Sequence, residues 1–312
     1  MNAFHRSLYG VVNPKAALGR ASRFWRQLRK QLQERIGPFS WDWTGSPRHA
    51  TSLVRNALQQ GYDLIISVGG DGTHNESING FFTDGVIFNP RASLVVVPCG
   101  TGSDLCRTLG ITSGIASAVE TILSGREREV DVGRLIFSQA SCPACERLFL
   151  NVGSLGLSAR VNNNLGSQPH FLGGSGRFLL AAVRTLLEHG QDQVSLEIDG
   201  KVLPDQLKSM VVAANGMFFG GGMKIAPHAR LDDGLLDVVI IGAVSLLDFI
   251  RWGPRIYRGR YLSHPRVQYL RASSIRAKSD DPVPVEVDGE TVGTLPATFT
   301  VLPRAVRLRV PV

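Results

Sequence analysis

Long apolar runs are missing from this chain. No stretch of about 18 apolar residues occurs in its 312 residues, so no membrane-spanning helix is expected. Its beginning, MNAFHRSLYGVVNPK, lacks the basic start and long apolar stretch of a secretory signal. Cysteine is scarce. Cys99, Cys106, Cys142 and Cys145 are too few for a disulfide framework, which fits a reducing cytoplasm. Cys142 and Cys145 have C-x-x-C spacing, but there is no second such pair to complete a zinc site, so two free thiols at a loop tip are expected. The histidines show no metal-ligand spacing. There is no G-x-x-x-x-G-K-[ST] segment, which disfavours an ordinary P-loop NTPase. Ser154 and Ser158 do not form a G-x-S-x-G elbow, so hydrolase chemistry has no support.

What is present is ordinary for a soluble globular protein, with 43% apolar and 19% charged residues. The net charge of +8 is uneven. From Arg251 to Lys278 there are eight Arg/Lys residues and no acid, interleaved with Trp252, Ile256, Tyr257, Tyr261 and Leu262. Such a segment suits an anionic membrane surface or nucleic acid, and equally an ordinary solvated helix and strand.

Up to about residue 130, strands alternate with helices. Leu8–Val12, Trp41–Thr44, Leu64–Val68 and Ser93–Val97 read as strands. Ala21–Ile36, with Phe24, Leu28 and Leu32 on one face, Pro47–Gln60 and Ile115–Leu123 read as helices. That alternation predicts a parallel, Rossmann-like sheet covered on both faces. Strand-like segments then dominate, from Leu148–Val152 through Val306–Val310, with helices only at Gly176–His189 and Ser245–Tyr257. The second half is expected to be a mostly antiparallel β-sandwich. The boundary is placed near Val132, giving domains 1–132 and 133–312, with the return of the last strand to the first domain left open. The polar stretch Asn162–Ser175 is expected to be a mobile loop.

The chain is organised around Asp63–Asn79, DLIISVGGDGTHNESIN, an apolar strand breaking into glycines before a helix. Such a turn can hold phosphate on backbone N–H groups with help from the helix dipole. A carboxylate inside it, Asp71, points to a cation or a proton handled there. A second glycine turn, Pro98-Cys99-Gly100-Thr101-Gly102-Ser103-Asp104, follows the next apolar strand. Two such turns make a shared cradle at the carboxyl ends of neighbouring strands.

VGGDGTHNESING followed by VPCGTGSDLCRTLGI resembles the diacylglycerol kinase catalytic-domain family, in its bacterial soluble lipid kinase branch. VVNPKA, LNVGSLGLSA, ANGMFFGGGMKIAPHARLDDGLLDVVII and VEVDGE continue the resemblance in family order over nearly the whole chain. The resemblance implies ATP binding by Asn13, Thr44, Gly69, Gly70, Asp71, Gly72, Thr73, His74, Asn75, Gly100 and Thr101. It implies a Mg²⁺ site at Asp233 with backbone oxygens of Arg230 and Leu235, and Glu290 as general base. The family usually has Asn where this chain has Ser103, which keeps a hydroxyl to cap the following helix.

These residue types suit phosphoryl transfer, which needs positioning, charge neutralisation and a base for the acceptor hydroxyl. Beside this stand plain readings: Asp288-Gly289 as a hairpin turn with Glu290 merely exposed, and Asp232-Asp233-Gly234 as a turn. The expectation is a cytoplasmic lipid kinase using ATP and Mg²⁺, with the nucleotide between the domains. Its substrate would be diacylglycerol, phosphatidylglycerol or a sphingoid base. The acyl chain would meet an apolar cleft, for which Phe171, Leu172, Phe178, Leu179, Phe218 and Phe219 are candidates. The basic segment from Arg251 would dock at the inner membrane face. No nucleic-acid partner is implied, and a homo-oligomer is left open. The rivals are NAD kinase, which shares the GGDGT turn, and a non-catalytic lipid- or nucleotide-binding regulator.

Overall fold

The computed structural model describes residues 6–100, 102–139, 142–165, 173–188, 191–204 and 206–312. The chain divides into two compact units, residues 1–130 with 304–312, and residues 131–303.

The first unit is built on parallel strands. Its elements are β1 (Leu8–Val12), α1 (Arg20–Ile36), β2 (Ser40–Trp43), α2 (His49–Gln59), β3 (Leu64–Gly69) and α3 (Asp71–Gly80). A small ribbon of β4 (Phe82–Thr83) and β5 (Val86–Ile87) leads to β6 (Ser93–Pro98), α4 (Asp104–Leu109) and α5 (Ile115–Ser124). The sheet order is β2-β1-β3-β6, every pair parallel. β3 and most of β6 are buried on both faces, which is why they read as continuous apolar runs. The buried face of α1 is Ala21, Trp25, Leu28 and Leu32. Trp25 joins the expected Leu28 and Leu32 there, its indole packed over Gly10 where any side chain would collide with it, and Phe24 packs half-buried at the edge of the same core. Residues 304–312 belong to this unit, and Arg307–Leu308 pair in parallel with β6. Arg309 from this tail donates to the carbonyls of Thr121, Ile122 and Leu123, satisfying the open end of α5.

Between the units the chain runs through β7 (Arg126–Gln139), which forms a hairpin with β8 (Cys142–Phe149). The second unit continues with β9 (Val152–Gly156), α6 (Leu157–Leu165), α7 (Gly173–Glu188), β10 (Asp192–Ile198), β11 (Lys201–Val202) and β12 (Gln206–Ala214). It ends with β13 (Leu236–Gly242), α8 (Leu246–Ile256), β14 (Val267–Ala272), β15 (Ser274–Lys278), β16 (Pro284–Val287) and β17 (Glu290–Val310). Antiparallel ladders run β10–β12–β9–β16–β17–β15 and return to β10, so the strands close on themselves. β13 and β14 extend the layer from β12. One face carries a core that includes Phe149, Leu155, Val211, Val285 and Phe299. The other carries Val152, Met210, Val212, Val239 and Tyr261.

The segment expected as a polar loop from Asn162 instead begins inside α6; residues 166–172, with Phe171 and Leu172, lie outside the described residues. The two strands expected near the C-terminus are one strand, β17. Cys142 and Cys145 are joined as a disulfide, Cα atoms 5.5 Å apart, rather than left as free thiols. The β7–β8 register places Cys142 opposite Gln139 and Cys145 opposite Phe137, which holds the sulfurs near each other at the hairpin end.

Candidate active site

The parallel strands of the first unit end side by side. Asn13 follows β1, Thr44 follows β2, Gly69 closes β3 and Gly100 lies beyond β6. Backbone bonds carry the ladder past the strand ends: Asn13 N–H to Val68 (2.9 Å), Thr44 N–H to Val12 (2.8 Å) and Cys99 N–H to Gly69 (2.7 Å). The loops are therefore fixed by the sheet itself. Gly70 caps α3, and Asp71 is the first helical residue. The two glycine turns press together: a Cβ on Gly100 would stand 2.7 Å from the Gly70 Cα. A Cβ on Gly102 would stand 2.7 Å from Asp71 Oδ2, which also lies 3.4 Å from the Asp104 N–H. Glycine here serves close backbone approach, and it leaves the first turn of α3 at the sheet edge. Thr101 lies outside the described residues.

Asn13 Nδ2 donates to Thr73 Oγ1 at 3.1 Å, tying β1 to α3. His74 and Asn75 are buried. His74 Nδ1 sits 2.9 Å from Ser67 Oγ, and burial holds its pKa down to about 4, so the ring is neutral. Asn79 Nδ2 donates to Asn75 Oδ1 at 3.3 Å. The His74 contact anchors α3 on β3, while the Asn75–Asn79 bond stays within α3. Ser103 makes no capping bond to α4. It takes a left-handed backbone, φ 52°, which explains the asparagine common at such positions better than capping does.

In the second unit, Asp288 occupies the left-handed corner of the β16–β17 turn, φ 47°. Its carboxylate accepts the N–H groups of Leu150 (3.1 Å), Asn151 (3.0 Å) and Val152 (2.9 Å). The residue that read as a turn signal thus clamps the β8–β9 bend and sets where β17 begins. Glu290, the first residue of β17, accepts from Arg147 Nη2 on β8 at 2.9 Å. The Glu290 side chain keeps 41% of its surface exposed while that of Arg147 keeps 11%, so a half-open carboxylate is aimed by a nearly buried cation.

Asp233 has other partners than the expected cation. One oxygen accepts the Leu235 N–H at 3.2 Å and the other pairs with Arg271. Arg230 pairs with Asp232 at 3.5 Å. The same loop is held by Asp131, whose carboxylate accepts the Gly234 N–H at 2.7 Å. A guanidinium on the only proposed carboxylate ligand disfavours Mg²⁺, which needs several free oxygens. Among the described residues no group of three His, Cys, Asp or Glu side chains is placed to hold a metal.

The second unit also contains an apolar pocket of about 720 Å³, counted to its open mouth. Phe219, Met223, Met210, Ile241, Trp252 and Ile256 wall it. Of the expected acyl candidates, Phe219 is the one that lines this pocket. Phe218 lies instead under the Lys224 ammonium, 5.8 Å from its ring centre. The side chains of Phe178 and Leu179 lie outside the described residues. α8 roofs the pocket with Trp252 and Ile256, and leaves Leu247, Ile250 and Arg251 exposed on its outer side. Among the described residues no helix is long and apolar enough to cross a membrane.

Residues 7–135 match the family described as diacylglycerol kinase catalytic domain, and residues 151–310 match the YegS C-terminal NAD kinase beta sandwich-like domain. A diacylglycerol kinase of Staphylococcus carnosus (strain TM300) is 30% identical over 84% of this chain and 81% of its own length. The chain belongs to the diacylglycerol kinase family. Another diacylglycerol kinase, from Bacillus subtilis (strain 168), is 28% identical over 84% of this chain and 82% of its own length. A Bacillus anthracis str. Sterne protein, solved as a candidate diacylglycerol kinase, superposes with a TM-score of 0.78 at 25% identity, over 99% of each chain. As a member of this family the chain is an enzyme, of the lipid kinase class, with a mixed α/β fold and a large β-rich C-terminal domain. Arg147 and Arg271 carry no motif signal of their own, since each acts through a partner distant in sequence; Asp288 lies in the VEVDGE motif but read there only as a turn residue.

Proposed function

We propose that this diacylglycerol kinase relative transfers the γ-phosphoryl group of ATP to a hydroxyl of a membrane lipid, with a diacylglycerol-type acceptor first among the candidates. The observation that carries the reading is the pair of glycine turns at adjacent parallel strand ends, with Asp71 opening α3. Asn13, Thr44, the Gly69–Thr73 turn and Gly100 would form a Rossmann-like nucleotide edge, with Thr101 as a further contact. Asp71 offers the hard oxygen that a Mg²⁺ ion accompanying ATP prefers, and such an ion would neutralise phosphate charge. At Asp233, bracing falls to Asp131 and Arg271, and no step is assigned to a metal there.

The second unit supplies the acceptor side. Glu290 takes the proton of the lipid hydroxyl as its oxygen bonds to the γ-phosphorus. The bond from that phosphorus to the β,γ-bridging oxygen breaks, and ADP leaves. Arg147 holds the base in one direction. The apolar pocket accepts acyl chain, and the outer side of α8 rests on anionic lipid at the cytoplasmic membrane face.

The test is incubation with γ-labelled ATP, Mg²⁺ and a panel of diacylglycerol, phosphatidylglycerol, a sphingoid base and NAD. Label in a lipid, lost in Asp71→Asn and Glu290→Gln, supports the reading. Label in NAD alone, or none in any acceptor, overturns it.

A further inference from the structure

The strand β2 ends in a tryptophan, in line with the two glycine turns. Trp43 pairs with Val12, Val12 with Val68 and Val68 with Val97, all in parallel register. The four side chains therefore share one face of the sheet, one residue before Thr44, Asn13, Gly69 and Pro98. The three valines are buried in the core that α1 and α5 cover. β2 is the outer strand of this parallel group, and there the row ends in an indole that stays 36% exposed.

That indole is held from within the sheet. Trp41, two residues back on the same face, meets it edge to face, with ring centres 4.9 Å apart and planes at 86°. Trp41 is fixed in turn against Trp25, 5.7 Å between centres, and under the Arg29 guanidinium at 4.9 Å. Trp25 is fully buried. The three rings form a ladder rooted in the core, with its last rung at the surface. A ring held this way has little freedom left to lose when a ligand meets it.

Its distance from the phosphate cradle is set by the ladder. Trp43 lies beside β1, and β1 lies beside β3, which opens into the Gly69–Thr73 turn. Two strand spacings of about 4.8 Å put β2 roughly 10 Å from β3. A ribose and its first phosphate span a gap of that order. A phosphate chain on the start of α3 therefore leaves room for a nucleoside over the ends of β1 and β2, where Trp43 is the exposed aromatic surface.

We propose that Trp43 stacks on the base of the nucleotide and so sets a preference for a nucleoside triphosphate over a bare phosphate chain. This rests on the ATP-dependent reading for the choice of ligand. Stacking reads the π face of a base and not its hydrogen-bonding edge. The site therefore favours purines over pyrimidines by ring area, and separates adenine from guanine only weakly.

The experiment measures binding, not turnover. The full chain, with Mg²⁺ and without lipid, is titrated calorimetrically with ATP and with ribose 5-triphosphate, which lacks only the base. ATP is expected to bind about tenfold tighter, the scale of one base stacked on an aromatic side chain. Trp43→Ala should bring that ratio close to one by weakening ATP, with ribose 5-triphosphate unchanged within about twofold. Trp43→Phe, which keeps a ring, should retain most of the ratio, and thermal melts confirm that both variants fold. ATP should also quench the tryptophan fluorescence of the parent protein, and that of Trp43→Phe far less, a signature that a merely structural residue would not give. Equal binding of the two ligands by the parent, or a ratio that Trp43→Ala preserves, overturns the stacking and leaves the phosphate cradle standing. Binding of neither ligand overturns both. A Trp43-dependent ratio in a protein that phosphorylates no lipid would sink the lipid-kinase reading alone.

Discussion

Arg147 and Glu290, 143 positions apart in sequence, are joined by a hydrogen bond of 2.9 Å between Nη2 and Oε2. β8 supplies the cation and β17 the acid. The cation is nearly buried, so its guanidinium has few alternative directions, and a charge-assisted bond from a fixed donor fixes its acceptor. Asp288 adds to this by tying the start of β17 to three consecutive backbone N–H groups from Leu150 to Val152. Glu290, the proposed base, is thus placed by two contacts from within the second unit.

Arg147→Ala is therefore expected to lower kcat by about tenfold while lipid KM stays within about twofold, because orientation and not ground-state binding is lost. Glu290→Gln removes the proposed base and should cost roughly 10²–10⁴ in kcat. Arg147→Lys, a point charge without the planar fork, should restore only part of the rate. Initial rates at saturating ATP across a lipid series separate these outcomes. An Arg147→Ala enzyme with unchanged kcat would remove the positioning role.

Glu286 and His74 make opposite demands on stability as pH changes. Glu286 has a folded pKa of about 7 against an ordinary 4.5, so the native state holds a proton that the unfolded chain has lost. Its contribution to stability falls as pH rises from 4.5 to about 7 and is flat above, with an upper bound of about 3 kcal/mol. His74 is held neutral, with a folded pKa of about 4 against an ordinary 6.5, so its contribution rises over that window. Between about 4.5 and 6.5 the two oppose, and the parent protein's curve reflects their difference. Glu286→Gln should remove the falling limb and leave denaturant-measured stability increasing from pH 5 to 6.5. A variant curve parallel to the parent's would sink this assignment.

The first unit was legible because its signals are local. β3 and β6 are apolar along their length, and the glycine turns follow them directly in sequence. β7 escaped notice because Arg126, Glu127, Arg128 and Glu129 open it with charge, and its buried alternation appears only at Gly133, Leu135 and Phe137. α6 escaped because Asn162, Asn163 and Asn164 read as loop, while Leu157, Ser158 and Val161 at its start do the packing. The family motifs pointed to Glu290 and Asp233. The partners that define them, Arg147 and Arg271, come from strands whose pairing no local pattern encodes. Glu286 lay inside a recognised motif, yet only the ladder through Ser154 shows that it is buried without a cation.

Arg271 gives a sharp expectation for metal dependence of stability. With its guanidinium on Asp233, the melting temperature should be the same in EDTA and in millimolar Mg²⁺. Arg271→Ala leaves the carboxylate facing two acidic neighbours, Asp232 and Asp237, within the same stretch of chain. The ion pair is partly exposed, so its loss should cost about 1 kcal/mol or less. In that variant alone, Mg²⁺ should raise the melting temperature, since a cation can take the vacated place. A Mg²⁺-dependent melt in the parent protein would show that the ion pair does not replace a metal.

Ser103 carries backbone strain that a single change can relieve. Its φ of 52° lies in the left-handed region, which costs a β-carbon residue about 1 kcal/mol and which Asn tolerates better. Ser103→Asn should stabilise the protein by about 0.5 kcal/mol, and Ser103→Val should destabilise it by more than that. Chemical denaturation of the three forms orders them. Val at least as stable as Ser would place this residue in a different conformation.

The outer side of α8 joins two kinds of membrane affinity. Leu247 and Ile250 are 79% and 60% exposed, and Arg251, Arg255, Arg258 and Arg260 are exposed beside them. Apolar insertion does not weaken with salt, whereas attraction of arginines to anionic headgroups does, at about 1 kcal/mol per well-placed charge. Binding to vesicles containing phosphatidylglycerol should fall steeply between 0.05 and 0.5 M NaCl, and binding to neutral vesicles should be weak at both. Leu247→Glu with Ile250→Glu should abolish attachment at either salt concentration, while Arg251→Gln with Arg258→Gln should flatten the salt dependence. Turnover of a short-chain, water-dispersed lipid by either double variant should match the parent, because these side chains face away from the pocket. Vesicle binding that ignores salt, or that survives both double variants, would remove α8 as the docking element.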